Sequence, residues 1–138
     1  MPLKSLAYTS LARLDLADSD LHEIHREARQ LNALDGISGL LVFDGARFLQ
    51  IVEGAPEAID SLVERLRRDT RHAAFEIRDE RRVGERSFPD WSMELVRVSA
   101  GYLAAREELA SSLPDTVTPA VRDLALRMSQ EIAREIDA

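Results

Sequence analysis

Apolar positions recur at strand spacing and then at helix spacing along this chain, which predicts alternating strands and helices. An apolar run over residues 3–9 predicts the first strand, and a polar stretch follows over 15–20. Asp20 and Glu23 then have the spacing of a capping box, and Asp35-Gly36 is a typical helix end. These signals predict a first helix. Its inward stripe is expected to consist of Leu21, Ile24, Ala28 and Leu31.

Two apolar runs, 37–43 and 47–53, come next and are joined by Asp44-Gly45. Since this dipeptide favours a tight hairpin turn, the runs are predicted to be adjacent antiparallel strands. Pro56 near the first helical position and Glu57 in the first turn then begin a second helix. Its buried stripe is expected to consist of Ile59, Leu62, Val63 and Leu66.

Two more strands, over 75–83 and 94–98, complete a βαββαβ order with one added strand. Two helices crossing one face of a mixed sheet are typical of a ferredoxin-like α+β sandwich, here with five strands. Further helices are predicted over 102–112 and from 118 onward. They are expected to pack on the other sheet face or to mediate self-association. The stripe of the longer one consists of Val121, Leu124, Met128, Ile132 and Ile136.

One polar residue interrupts the apolar pattern of the predicted third strand. Because side chains alternate faces along a strand, Phe48, Gln50 and Val52 point to the same face. An unpartnered amide on that apolar face costs roughly 1–3 kcal/mol, and a ligand or side chain that bonds it removes the cost. The carboxamide offers two donors and two acceptor lone pairs. Asn32, at the border of the first helix's stripe, is placed similarly.

Composition limits the classes of function. The 138 residues, 45% hydrophobic and 31% charged, fit one globular domain. A net charge of −7 without a basic stripe disfavours nucleic-acid binding. The absence of cysteine and three scattered histidines disfavour disulfides, a thiolate nucleophile and a metal site. No apolar segment approaches the ~20 residues of a membrane helix, so a soluble cytoplasmic protein without membrane contact is expected.

Five motifs stand in order between about residues 3 and 98. They are Tyr8 on the first strand, Asn32 on the first helix, Gly36-Ile37-Ser38-Gly39-Leu40-Leu41, Arg47-Phe48-Leu49-Gln50-Ile51-Val52-Glu53-Gly54, and Phe88-Pro89-Asp90-Trp91-Ser92-Met93. Each alone is a weak signal, but together they closely resemble the BLUF family, the sensors of blue light using flavin. The resemblance implies a flavin, usually FAD, held between the two helices over the sheet of a domain spanning 1–98.

The resemblance also implies a role for each matching residue. Gln50 corresponds to the glutamine that switches its hydrogen bonds between flavin and tyrosine, and Tyr8 to the tyrosine that donates an electron and a proton. Asn32 corresponds to the asparagine that hydrogen-bonds the polar edge of the ring. Trp91 and Met93 correspond to the pair on the last strand that carries the change outward. The other expected flavin contacts are Ile24, Leu41, Phe48, Arg65 and Asp69.

Several of these residues also have a purely structural interpretation. Arg65 and Asp69 have the spacing of a solvated helical ion pair, which contributes only ~0.3–0.5 kcal/mol. Asn32 also suits a cap at a helix end. Trp91 and Met93 alternate onto one strand face and also suit core packing.

Three other positions refine the expectations. His22 and His25 lie three apart on the outer part of the first helix and are expected at the surface. Leu31 stands where many family members carry a second polar side chain. The resemblance therefore leaves the choice among FAD, FMN and riboflavin open.

The sequence thus predicts a short, stand-alone photoreceptor that is not an enzyme and binds flavin noncovalently. The helical extension over 99–138 is too short for an effector domain, so a homo-oligomer that signals to a separate effector protein is expected. Two alternatives use the same fold: a small oxidoreductase that employs Tyr8, and an oligomeric interaction module.

Overall fold

The computed structural model describes residues 3–12, 17–43, 47–69, 72–88 and 93–97, together with positions 110, 111, 113, 115, 117, 119, 122, 123, 125 and 126. The elements in chain order are β1 (Leu3–Ala12), α1 (Asp18–Leu34), β2 (Ser38–Phe43), β3 (Arg47–Gly54), α2 (Pro56–Arg68), β4 (His72–Val83) and β5 (Glu94–Arg97). This is the order predicted for residues 3–98, with β1 and β4 three residues longer. Within these ranges, no helix is both long and apolar enough to cross a membrane.

The strands form one sheet in the order β4-β1-β3-β2-β5. β1 to β4 pair with one another in antiparallel fashion, and β5 pairs with β2 in parallel at the edge. With the two helices, this antiparallel core has the α+β sandwich arrangement predicted from the sequence. β2 and β3 pair as expected, although the predicted Asp44-Gly45 turn between them lies outside the described residues.

Alternation along the strands divides the core into two layers. On the helix side, Tyr8, Phe48 and Val52 pack with Leu21 of α1 and Ile59 of α2. The opposite face carries a second cluster: Ala7, Leu40, Val42, Leu49, Ile51, Phe88, Leu113, Val117 and Ala125. The last three belong to the predicted helical extension. Its predicted stripe from Val121 to Ile136 lies outside the described residues, so the C-terminal helices stay a prediction.

The first helix ends at Asp35 as predicted, but it differs from its prediction at its start and in its inward stripe. It starts at Asp18 with Ala17 as N-cap, and the Ala17 N–H donates to the Asp20 carboxylate at 2.9 Å. The prediction that Asp20 begins the capping box was wrong, because Asp20 is the acidic partner inside the first turn. Leu31 is 44% exposed instead of buried. Asn32 follows Leu21 by about three full turns and takes the inward direction in its place.

The second helix matches its prediction more closely. Pro56 lies at the first turn, where its missing N–H costs no hydrogen bond. Ile59 and Leu62 are buried, and Val63 and Leu66 pack against the same cluster. α2 therefore lies on the sheet face that also carries Gln50.

A buried carboxylate fixes the chain between β4 and β5. Glu53, at the end of β3 and only 1% exposed, accepts hydrogen bonds from the N–H groups of Ser87 at 2.7 Å and Phe88 at 3.1 Å. Arg86 donates to three acceptors in this corner: the Glu53 carbonyl at 3.0 Å, the Gly36 carbonyl at 2.7 Å and the Ser38 hydroxyl at 2.8 Å. Burial raises the pKa of Glu53, against the opposing effects of the two N–H donors and Arg86.

Replacing Glu53 with alanine is expected to lower the free energy of unfolding by about 2–4 kcal/mol at neutral pH, because two buried N–H groups lose their acceptor. Chemical denaturation, with flavin bound to both proteins, measures this loss. Glu64→Ala, on an exposed position of α2, is the control and should change stability by less than about 0.5 kcal/mol. An equally small loss for Glu53→Ala would contradict the assigned contact.

The same residue predicts a pH dependence. Since the pKa of Glu53 is raised in the folded protein, the folded chain holds this proton more tightly than the unfolded chain. Its contribution is therefore complete below the usual value of 4.5 and is lost as pH rises through the raised pKa. Denaturation at a series of pH values should show that the free energy of unfolding of the wild type increases relative to that of Glu53→Ala as the pH is lowered toward 4.5. The opposite trend would be inconsistent with a raised pKa.

Candidate functional site

Two of the four predicted switch residues, Tyr8 and Gln50, lie in one row across the middle of the sheet. Tyr8 on β1 is directly opposite Gln50 on β3, and Gln50 is directly opposite Leu41 on β2. Side chains directly opposite each other in an antiparallel pair have Cβ atoms about 4.5–5.5 Å apart. The strand register therefore places the phenol and the carboxamide side by side on the face covered by the helices.

A cleft opens above this row. It contains about 740 Å³ of space, part of which is open to solvent. Its floor comes from β1, β2 and β3, and its sides come from α1 and α2. The lining residues are Tyr8, Ser10, Ile24, Glu27, Ala28, Leu31, Asn32, Leu41, Phe48, Gln50, Leu62, Arg65, Leu66 and Asp69.

All the residues expected to contact flavin line this one cleft: Tyr8, Ile24, Asn32, Leu41, Phe48, Gln50, Arg65 and Asp69. They come from five different elements, so their convergence is a property of the fold and not of neighbouring sequence. Their roles as flavin ligands stay a prediction.

Asn32 is the most informative polar group in the cleft. Its side chain is 1% exposed, and among the described residues neither its amide oxygen nor its amide nitrogen has a hydrogen-bond partner. A buried, unpaired amide is unfavourable by about 1–3 kcal/mol. A ligand with one donor and one acceptor at adjacent positions would remove that penalty. The capping role considered for Asn32 is not what its side-chain amide does here.

Gln50 already has one partner, on the segment that leads into β5. Its Nε2 donates to the Sδ of Met93 at 3.0 Å, and both side chains are buried. A thioether is a weak acceptor, so this bond holds the amide less firmly than an oxygen acceptor would. The structure thus joins two of the four predicted switch residues across the sheet. Trp91, the fourth, lies outside the described residues.

Tyr8 is held as a neutral phenol. Burial raises the pKa of Tyr8 well above its usual range, and the nearby Asp69 carboxylate raises it further. The Tyr8 ring packs against Phe75 with centroids 4.7 Å apart and planes tilted by 36°. The Arg67 guanidinium lies over the Phe75 ring, 5.0 Å from its centroid. Tyr8 therefore keeps its proton and has a fixed ring position.

The charged end of the cleft contains Arg65 and Asp69, the two residues considered as a helical ion pair. The guanidinium of Arg65 pairs with Asp35, just beyond the end of α1, at 3.5 Å. At that distance the contact is an ion pair but not a hydrogen bond, and the Arg65 Nε has no hydrogen-bond partner among the described residues. Arg65 thus links the two helices at the cleft while retaining donors, and Asp69 lines the same end.

Sequence reasoning missed several residues of this region. Ser10, Glu27, Ala28, Leu31, Leu62 and Leu66 also line the cleft. A usable signal existed, because 24, 27, 28 and 31 on α1 and 62, 65, 66 and 69 on α2 follow the spacing of one helix face. His25 was expected at the surface, but the structure buries it in part. It is half-buried, and its Nε2 lies 2.7 Å from the Met93 carbonyl oxygen.

Comparison with known proteins explains this arrangement. The family model of BLUF, described as sensors of blue-light using FAD, matches residues 3–94. The chain belongs to the BLUF family. The resemblance recognised from the sequence motifs is thereby confirmed, and the protein is a flavin-binding blue-light sensor.

Three relatives illustrate how BLUF domains are used. Photoactivated adenylate cyclase subunit beta of Euglena gracilis is 30% identical over 113 residues, which are 81% of this chain but only 12% of that protein. The dark-state structure of the BLUF protein BlrB is 33% identical, with a TM-score of 0.71 and 96% of each chain covered. Klebsiella pneumoniae BlrP1 with FMN and cyclic diGMP is 27% identical, with a TM-score of 0.72 over 89% of this chain and 33% of that chain.

The residues of the BLUF cleft fit a flavin on two counts. Ile24, Leu41 and Phe48 provide apolar surfaces for a flat aromatic ring. The unpaired donor and acceptor of Asn32 match the adjacent carbonyl and N–H groups on the polar edge of that ring. Arg65 and Asp69 line the same cleft and add polar groups to it.

Replacing Asn32 with alanine is expected to weaken flavin binding about tenfold, because the polar edge loses a buried hydrogen-bonding partner. Titration of apoprotein followed by flavin fluorescence measures the dissociation constant. Gln30→Ala, at an exposed position two residues earlier on α1, is the matched control and should bind like wild type. Affinity in Asn32→Ala within twofold of wild type would rule out this contact.

Proposed function

We propose that Tyr8 and Gln50 are the light switch of this BLUF protein. The observation that carries the proposal is their direct opposition on β1 and β3 in the floor of the cleft. No cysteine is present, so a covalent adduct with a thiol is not part of the mechanism. The response is instead a rearrangement of hydrogen bonds among groups that lie opposite each other in the strand register.

Flavin, when bound and excited by blue light, supplies a strong oxidant to the cleft. Tyr8 is the source of one electron and of its phenolic proton. It suits this role because burial keeps the phenol protonated and the Phe75 ring holds it in place. The negative charge of Asp69 nearby also favours loss of an electron from Tyr8, since it stabilises the positive charge that develops there.

Gln50 is the residue whose hydrogen bonds stay rearranged after the electron and proton transfer. Its amide nitrogen is committed to Met93 Sδ in the present arrangement. Rotation or tautomerisation of the carboxamide exchanges its donor and acceptor ends, and this withdraws the N–H from the weak sulfur acceptor. The Met93 sulfur then loses its hydrogen-bond donor. The proposed output of the switch is therefore a change in the segment that enters β5.

The proposed cofactor is FAD, with FMN and riboflavin as alternatives. Asn32, Arg65 and Asp69 would hold the polar edge of the ring, and these contacts are common to all three flavins. Leu31 lines the cleft, and its hydrocarbon side chain offers no hydrogen bond to the rest of the cofactor. The FMN in the BlrP1 structure belongs to that relative and leaves the choice in this chain to measurement.

We propose that the domain over 1–98 senses light, has no turnover of its own and acts in the cytoplasm on a separate effector protein. The extension over 99–138 would cover the outer sheet face or join copies of the chain into a homo-oligomer. Burial of Leu113, Val117 and Ala125 against Leu40 and Ile51 supports the first of these roles. In the Euglena relative, the matching region is a small part of a protein named as a cyclase subunit, which supports coupling to an effector.

Tyr8→Phe is expected to bind flavin normally but to lose the light response, because phenylalanine fills the same space and cannot release a phenolic proton. Wild type should show flavin absorption bands that shift reversibly to the red under blue light, and the variant should show the bands without the shift. Tyr102→Phe, the other tyrosine of the chain, is the control. A full red shift in Tyr8→Phe would exclude it as the donor.

Gln50→Leu is expected to retain flavin and to show no red-shifted state, because leucine has neither the donor nor the acceptor that exchange. The measurement is the light-minus-dark absorption difference at equal flavin loading. Gln30→Leu, at an exposed position on α1, should keep the wild-type difference spectrum. A normal photocycle in Gln50→Leu would show that the red-shifted state does not depend on the Gln50 carboxamide.

A further inference from the structure

His25 makes a contact that the flavin site does not require. It lies on α1, and its Nε2 is 2.7 Å from the backbone carbonyl oxygen of Met93, 68 residues later in the chain. A carbonyl oxygen only accepts, so Nε2 carries the hydrogen and donates it. This bond joins α1 to the segment that leads into β5.

Met93 is consequently held from two sides. Its sulfur accepts from the Gln50 amide at 3.0 Å, and its carbonyl accepts from His25. Its side chain is 1% exposed, and its backbone φ of +155° is one that residues with side chains rarely adopt. A residue in such a conformation depends on its contacts, so a change in one contact alters the balance at the other.

His25 also connects the interior with the outer side of α1. The same side chain borders a surface groove with His22, Arg26 and Arg29. Seven residues further along the helix, Asn32 enters the flavin cleft two turns away on the same side. α1 therefore meets the switch at two points: directly at the cleft through Asn32, and at Met93 through His25.

We propose that His25 is a positioning residue that couples the Gln50–Met93 contact to helix α1. When the Gln50 amide leaves the sulfur, the Met93 backbone remains tethered through the stronger bond to its carbonyl oxygen. Any shift of Met93 must then either move the His25 side chain and its helix or break that bond. This inference rests on the proposed switch role of Gln50, and it adds α1 to the elements that respond to light.

The first test is infrared spectroscopy of protein labelled with ¹³C at the methionine carbonyls. The chain has three methionines, Met1, Met93 and Met128, and the variant Met93→Leu identifies the relevant band by its loss. His25→Leu should shift the Met93 band to higher wavenumber in the dark, because the carbonyl loses its donor. His25→Gln keeps an N–H donor at the same number of bonds from Cα and should restore the band. His22→Leu, one turn away at an exposed position, should leave it in place.

The second test is hydrogen–deuterium exchange of α1 in the dark and under blue light, with flavin bound. Wild type should show a light-induced change of about fivefold in exchange of α1 amides, the size expected for one neutral hydrogen bond. His25→Leu should keep the red shift, since it does not line the flavin cleft, and lose the change in α1. His25→Gln and His22→Leu should both keep it.

The outcomes separate this proposal from the function on which it rests. A wild type without a red shift would refute the proposed switch, while the dark-state carbonyl band would still report the His25 bond. A normal red shift together with an unchanged carbonyl band and unchanged α1 response in His25→Leu would overturn the coupling role. Failure of His25→Gln to restore what His25→Leu removes would also overturn it, because the hydrogen bond would then not be the cause.

Discussion

A primary amide buried in the middle of a sheet is the constraint on which this site depends. Gln50 cannot reach bulk water, so its donors and acceptor must be satisfied by groups that the fold brings to it. One of them is the Met93 sulfur. Because a thioether is a weak acceptor, the Gln50 amide loses little free energy when it exchanges this sulfur for an oxygen acceptor. The neighbouring positions belong to Tyr8 and to the cleft. The Gln50 carboxamide therefore has more than one acceptable set of partners.

The backbone and core around Tyr8 and Gln50 are rigidly held, whereas the hydrogen bond of Gln50 to Met93 is weak. The antiparallel ladders of β1, β3 and β2 fix the separation between Tyr8 and Gln50, and both sheet faces are packed with apolar side chains. At the end of β3, Glu53 and Arg86 bind the chain that leads toward Met93. Because these contacts hold the backbone in place, exchange of a single side-chain hydrogen bond is not lost in general relaxation of the core.

The sequence was sufficient for what depends on local geometry. Strand alternation placed Gln50 on the helix-covered face, and the motif order identified the family. Leu31 was predicted to face inward and is instead 44% exposed. Asn32 faces inward in its place, because it lies about three full turns after the buried Leu21. The ion pair of Arg65 with Asp35 and the bond of His25 to Met93 join different elements. Such contacts depend on how α1 sits over the sheet, which no spacing along the chain encodes.

The energy available to this switch limits the kind of output it can drive. Exchanging one neutral hydrogen bond changes a free energy by about 0.5–1.5 kcal/mol, which is roughly a two- to thirteenfold change in a population ratio. A responding element that strongly favoured one state would hardly move. The segment at Met93 suits a small input, because its sulfur bond is weak and its carbonyl bond comes from a separate helix. Any effector coupled to the proposed switch would therefore have to respond to a shift between two nearly balanced arrangements, and not to a complete conversion of one into the other.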